Sequence, residues 1–134
     1  VIPDSVIVSE SPDRKGRIVS PDAISDNEAI FDISSNFLDS VRSFIEGAGT
    51  ILWNGPIGFF EKENFHQGTM QIADMIVSSK GFSVAGGGDT IAAAEKAGVL
   101  NKINYVSTAG GAFLEFMEGR DLPAIVALIQ NNRN

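Results

Sequence analysis

Short apolar runs alternate along this chain with longer stretches in which apolar residues recur every three or four positions. "DSVIVS" (Asp4 to Ser9) is short and rich in β-branched residues, which predicts a strand. From there to Glu28 the chain is mostly Ser, Asp, Pro and Lys, with "GRIVS" alone reading as an edge strand. "EAIFDI" (Glu28 to Ile33) predicts a second strand, and Ser34, Ser35 or Asn36 can cap the helix that follows. That helix carries Phe37, Val41, Phe44 and Ile45 on one stripe, and Gly47 and Gly49 stop it.

The alternation continues with a buried-type strand, "TILW" (Thr50 to Trp53), and the loop "NGPIG". A helix is predicted over Phe65 to Ser79, with Ile72, Ala73, Ile76 and Val77 turned inward. Next come the strand "FSVA" (Phe82 to Ala85), the loop "GGGDT" and the helix "IAAAEKA", which Gly98 ends. The strand "NYV", the loop "STAGG" and the helix "AFLEFME" repeat the unit, and "LPAIVALI" reads as a further short strand or packed tail. Strand and helix in this order predict an α/β fold: an open, mainly parallel sheet with helices on both faces, a Rossmann-like three-layer arrangement. Ligands of such sheets bind at the carboxyl ends of the strands. Three loops therefore become candidates: Asn54 to Gly58, Gly86 to Thr90 and Ser107 to Gly111.

Composition narrows what these loops can bind. The 134 residues suit one domain, with 43% hydrophobic and 20% charged residues, as expected for a folded globular chain. A net charge of −7 argues against binding nucleic acid through its backbone, which needs clustered Lys and Arg. A small anion held by backbone amides is still compatible. With no cysteine there is neither a disulfide framework nor a thiolate metal site. The longest apolar run, Ala124 to Ile129, falls far short of the ~20 residues of a membrane span. A soluble intracellular protein that does not engage membranes is expected.

Taken alone, each loop reads as an ordinary turn. Asp89 or Thr90 could cap one helix and Ser107 or Thr108 another, while Phe59 and Phe60 could be core residues. Together on one sheet edge they suggest more. Amides at a glycine-opened helix start attract phosphate, and a Mg²⁺ ion would reconcile that phosphate with the Asp89 carboxylate. Phe59 and Phe60 could wall a slot for a flat ring, with Glu61 accepting from ribose hydroxyls. The glycine spacing fails the dinucleotide fingerprint, and no P-loop Gly-Lys-Ser/Thr occurs. His66 is expected to be solvated, and Met70, Met75 and Met117 to fill the core.

"WNGPIGFFE", "AGGGDT" and "STAGGAFLEFMEGRDLPAI", in this order, resemble the C-terminal part of phosphoglycerate kinase. The resemblance implies transfer of a phosphoryl group between 1,3-bisphosphoglycerate and ADP, giving 3-phosphoglycerate and ATP, with Mg²⁺, in a monomeric glycolytic enzyme. It implies nucleotide contacts at Asn54, Pro56, Gly58, Phe59, Glu61, Gly87, Gly88, Asp89 and Thr90, with Asp89 on the metal side. By the same resemblance Gly88, Gly110 and Gly111 face the transferring group. Ala109 stands where the family usually has glycine. The resemblance further implies that residues 1–134 are the C-terminal segment of an incomplete nucleotide-binding domain. The basic triose-binding domain and a glycine-lysine loop would then lie outside these residues, and the segment alone would be non-catalytic. A sugar kinase with a glycine-rich anion hole and an aspartate base is the disfavoured alternative.

Overall fold

A computed structural model describes residues 1–131. Strand β1 (Val6–Ser9) lies between β2 (Arg17–Val19) and β3 (Ala29–Ile33) and pairs antiparallel with both. Val6 and Val8 of β1 pack with Val19 and Ile24 on one side of this small sheet. On the other side Gly16 passes so close to Phe65 that a Cβ would stand 2.8 Å from its ring.

The second sheet is parallel, in the order β4 (Thr50–Asn54), β5 (Phe82–Gly86), β6 (Tyr105–Ser107). Its helices are α1 (Ser35–Glu46), α2 (Gln67–Ser78), α3 (Gly88–Lys96), α4 (Gly111–Met117) and α5 (Pro123–Asn131). Alternation along the strands gives each face its own set of side chains. Trp53 and Ala85 turn to one face, where Ala73 and Ile76 of α2 and Ala93 and Ala94 of α3 build the core with Val99 and Ile103. On the other face Gly86 meets Phe113 of α4, so closely that a Cβ there would lie 2.6 Å from the ring. Helices thus sit on both faces, as the alternation of elements predicts. Cover on the second face is partial: Leu52, Phe82 and Tyr105 are 43%, 53% and 54% exposed. The arrangement is Rossmann-like but incomplete.

Local chemistry explains most element ends. The Ser34 hydroxyl accepts from Phe37 N at 3.3 Å and caps α1. The buried stripe of α1 centres on Leu38 rather than on the phenylalanines, and Phe44, on its margin, is 71% exposed. Met75 is fully buried, but Met117 is 57% exposed. "LPAIVALI" is part of a helix, α5, because Pro123 opens its first turn, where proline has no amide to lose. His66 is tucked against the start of α2 with its side chain 15% exposed and Nδ1 3.4 Å from Glu63, not solvated. No helix among the described residues is long and apolar enough to cross a membrane.

An ion pair fastens the loop between β2 and β3. Arg17 donates from Nε and Nη2 to Glu28 at 2.7 and 2.6 Å, and Ser25 N donates to the same carboxylate at 3.1 Å. The Arg17 hydrogen bond, followed by that of Ser25, lowers the Glu28 pKa from 4.5 to about 2. A carboxylate depressed on folding adds stability above its unfolded pKa, and that stability fades as pH falls through the folded value. Acid titration of the wild type should therefore show this contribution draining between pH 4.5 and about 2. In Glu28→Gln that pH-dependent component should be missing, which circular dichroism along the acid limb would detect.

Candidate functional site

Strand β4 ends in Asn54, β5 in Gly86 and β6 in Ser107, and register pairs Asn54 with Gly86 and Gly86 with Ser107. Neighbouring strands lie about 4.8 Å apart, so the three ends form a row along the carboxyl edge of the sheet. The loops singled out in the sequence all open from that row. Their contacts are direct. Gly55 N donates to the Thr90 hydroxyl at 2.7 Å, and that hydroxyl donates to Gly86 O at 2.7 Å. Gly87 runs past Asn54 with room for a Cβ 3.4 Å from its Oδ1.

The helix starts differ from what capping alone would give. Gly87 (φ 92°) is the N-cap of α3 and Gly110 (φ 55°) that of α4, and neither start has a side-chain cap. Thr90 cannot serve, because its hydroxyl is committed to the Gly55 amide and the Gly86 carbonyl. Ser107 instead receives a bond from Ala109 N at 3.4 Å. Gly88 and Asp89 are exposed, and nothing lies within 4 Å of where a Gly88 Cβ would stand. The first amides of α3 thus lack a side-chain cap at an exposed helix start that carries partial positive charge. Ala109 adopts no positive φ, so its methyl adds no left-handed strain.

The loop after β4 is shaped by close contacts to β3. Gly58 has φ 66°, and a Cβ there would stand 2.5 Å from Asp32 Oδ1 and 2.6 Å from Phe31 O. Phe59 N donates to Phe31 O at 2.7 Å. The rings of Phe31 and Phe59 stack with centroids 6.2 Å apart at 18°, and Phe65 stacks behind Phe31 at 4.8 Å. Beside Phe31 and Phe59 opens a cavity of about 640 Å³ lined by Ile30 to Ile33, Asp32 included, and by Pro56 to Phe59. Phe60 is not one of its walls: it is 7% exposed and belongs to the core, and its carbonyl receives Lys96 Nζ at 2.6 Å. Phe31 takes that place, a residue the sequence presents only as part of a strand. Glu61 lies just beyond, exposed.

Charge at this edge is sparse. None of the loops 54–58, 86–90 and 107–111 carries Lys or Arg. Among the described residues no group of three or more His, Cys, Asp or Glu could hold a metal. Asp89 offers a lone exposed carboxylate, which fits Mg²⁺ shared with phosphate oxygens and does not fit a cage built by the protein alone.

The family model described as phosphoglycerate kinase matches residues 1–120 of the chain. A solved structure of phosphoglycerate kinase from Coxiella burnetii is similar at 48% identity and a TM-score of 0.87, over 93% of this chain and 33% of that one. The phosphoglycerate kinase from Pyrococcus horikoshii OT3 is similar at 33% identity and a TM-score of 0.78, over 94% of this chain and 31% of that one. The chain thus spans about a third of the length of the solved structures it matches.

Proposed function

Because the chain belongs to the phosphoglycerate kinase family, we propose that it is the nucleotide-side segment of an enzyme that moves a phosphoryl group between 1,3-bisphosphoglycerate and ADP. In the forward direction the acyl-phosphate P–O bond of 1,3-bisphosphoglycerate breaks as a bond forms to a β-phosphate oxygen of ADP, releasing 3-phosphoglycerate and ATP. The observation that carries this reading is the row of loops at the ends of β4, β5 and β6, which sets an aromatic slot beside an uncapped, glycine-opened helix start.

Each part then has a task. Asn54, Pro56, Gly58 and Phe59 form the base side of the site, and Glu61 accepts from the ribose. Gly87, Gly88 and the Thr90 amide receive phosphate oxygens, while the Thr90 hydroxyl holds the two loops in register. Gly88, Gly110 and Gly111 face the transferring group. Mg²⁺, when bound, supplies charge neutralisation between Asp89 and the phosphates. Phosphoryl transfer asks a protein mainly to position its reactants and to balance charge, and these groups do so without a covalent nucleophile.

Residues 1–134 are, in this reading, the C-terminal segment of the nucleotide domain of a monomeric cytoplasmic enzyme of glycolysis. Its partners are small molecules, not nucleic acid or membrane. Since the loops carry no Lys or Arg, the isolated segment is expected to show no turnover and at best weak binding of MgADP. The test is a coupled assay on the full-length protein with 3-phosphoglycerate and MgATP. Formation of 1,3-bisphosphoglycerate supports the reading, and its absence ends it.

A further inference from the structure

Asp32 is 1% exposed, in the middle of β3, and none of the ion pairs among the described residues includes it. Burial pushes its carboxyl above the ordinary carboxylate range, against the opposing pull of hydrogen bonds from Gly68 and Ile33 and of the charge on His66 when protonated. A buried carboxyl without a salt-bridge partner is costly, and a strand interior would accept an apolar residue at less expense. Its contacts indicate what it does. Oδ2 accepts from Gly68 N at 3.0 Å, at the start of α2, and Oδ1 accepts from Ile33 N at 2.8 Å.

The same carboxyl lies flat against the main chain of Gly58 and Gly68, where any Cβ would collide with it. Gly58 belongs to the loop that carries Phe59, while Gly68 leads into Thr69. The Thr69 hydroxyl accepts from Ile57 N at 3.0 Å and donates to Ile57 O. Asp32 therefore meets the slot-forming loop in two ways: by close packing against Gly58, and by a hydrogen bond to Gly68 N that leads through Thr69 to Ile57.

We propose that Asp32 is a positioning residue for the base slot, a buried carboxyl that clamps Gly58 and the Gly68–Thr69 helix start so that Ile57 and Phe59 stand opposite Phe31. This rests on the nucleotide reading above and adds to it a buried residue that acts through the neighbours it holds. It separates two halves of the site, because the hydrogen bonds of Asp32 among the described residues go to Ile33 and Gly68 and not to the glycine loop of α3. Loss of the clamp should weaken binding of the base and leave binding of phosphate and metal intact.

Equilibrium dialysis of the full-length protein against adenosine, and separately against Mg²⁺-tripolyphosphate, tests this. In Asp32→Ala the adenosine dissociation constant should rise about tenfold or more, and that for Mg²⁺-tripolyphosphate should stay within about twofold. Asp32→Asn, which keeps the volume and one acceptor, should fall between the wild type and Asp32→Ala, and it carries the test if Asp32→Ala does not fold. Equal weakening of both ligands would make Asp32 a purely structural residue and overturn the proposal, as would no change in either. Wild-type protein that phosphorylates 3-phosphoglycerate while the variants bind adenosine normally would sink the Asp32 inference alone. Wild-type protein that binds neither ligand and transfers no phosphoryl group would remove the nucleotide reading as well.

Discussion

Asp89→Asn in the full-length protein is expected to lower phosphoryl transfer by roughly 100-fold at ordinary Mg²⁺ concentration, with partial recovery as Mg²⁺ is raised. The reasoning starts from the charge inventory. Asp89 is an exposed carboxylate beside uncapped α3 amides, and the loops around it contain no basic residue. A carboxylate there would repel nucleotide phosphates unless a cation lay between them, so the proposed reading gives Asp89 that cation to hold. Asn keeps the shape and one acceptor oxygen but removes the charge. The cation should then bind less tightly, and the half-saturating Mg²⁺ concentration should rise. A steady-state titration of rate against Mg²⁺ measures both effects. If the rate collapsed at unchanged half-saturation, Asp89 would be acting as a general base, as in a sugar kinase, and its metal role would be wrong.

Phe65→Ala should cost about 3–5 kcal/mol of stability, the range for deleting a fully buried phenylalanine. Phe65 is 0% exposed and stands between two strands of the second sheet in sequence, β4 and β5, but against the first sheet in space. It stacks on Phe31 at 4.8 Å and is met by the backbone of Gly16. No neighbour can collapse into the gap easily: Gly16 has no side chain to offer, and the Phe31 ring is already stacked with Phe59. Urea denaturation followed by circular dichroism would measure the loss. A cost below about 1 kcal/mol would mean that the site relaxes to fill the cavity, contrary to the packing described. Phe65→Leu, which keeps most of the volume, should lose considerably less.

The parts of the molecule that are legible in sequence are those whose signals are local. "TILW" and "FSVA" are apolar runs closed by glycine, and they form the parallel strands where expected. Gly55, Gly58, Gly87 and Gly110 adopt positive φ in the loops that glycine content marks out. What the sequence hides is set by distant contacts. The antiparallel pairing of β1 with β2 and β3 depends on partners up to 27 residues away, such as Val6 and Ile33. Which of two adjacent phenylalanines enters the core, Phe60 or Phe59, depends on how the loop docks on β3. Phe31 and Asp32 escape notice for the same reason, since their role exists only once Gly58 is packed against them. The available hint was a carboxylate within "IFDI", a polar interruption of an apolar strand that needs a reason.

Trp53, the single tryptophan of the chain, is 5% exposed, and its indole N–H donates to Gly55 O at 2.9 Å. The amide of the same Gly55 donates to the Thr90 hydroxyl at the start of α3, so both backbone polar groups of Gly55 are tied, the carbonyl to the indole and the amide to α3. The consequence is optical. A buried indole emits at short wavelength, and a change in its hydrogen bond to a loop of the site shifts or quenches the emission. Occupation of the site by MgADP should therefore change the intrinsic fluorescence of the protein with no label attached, and Trp53→Phe should abolish the signal while leaving the Gly55–Thr90 hydrogen bond in place.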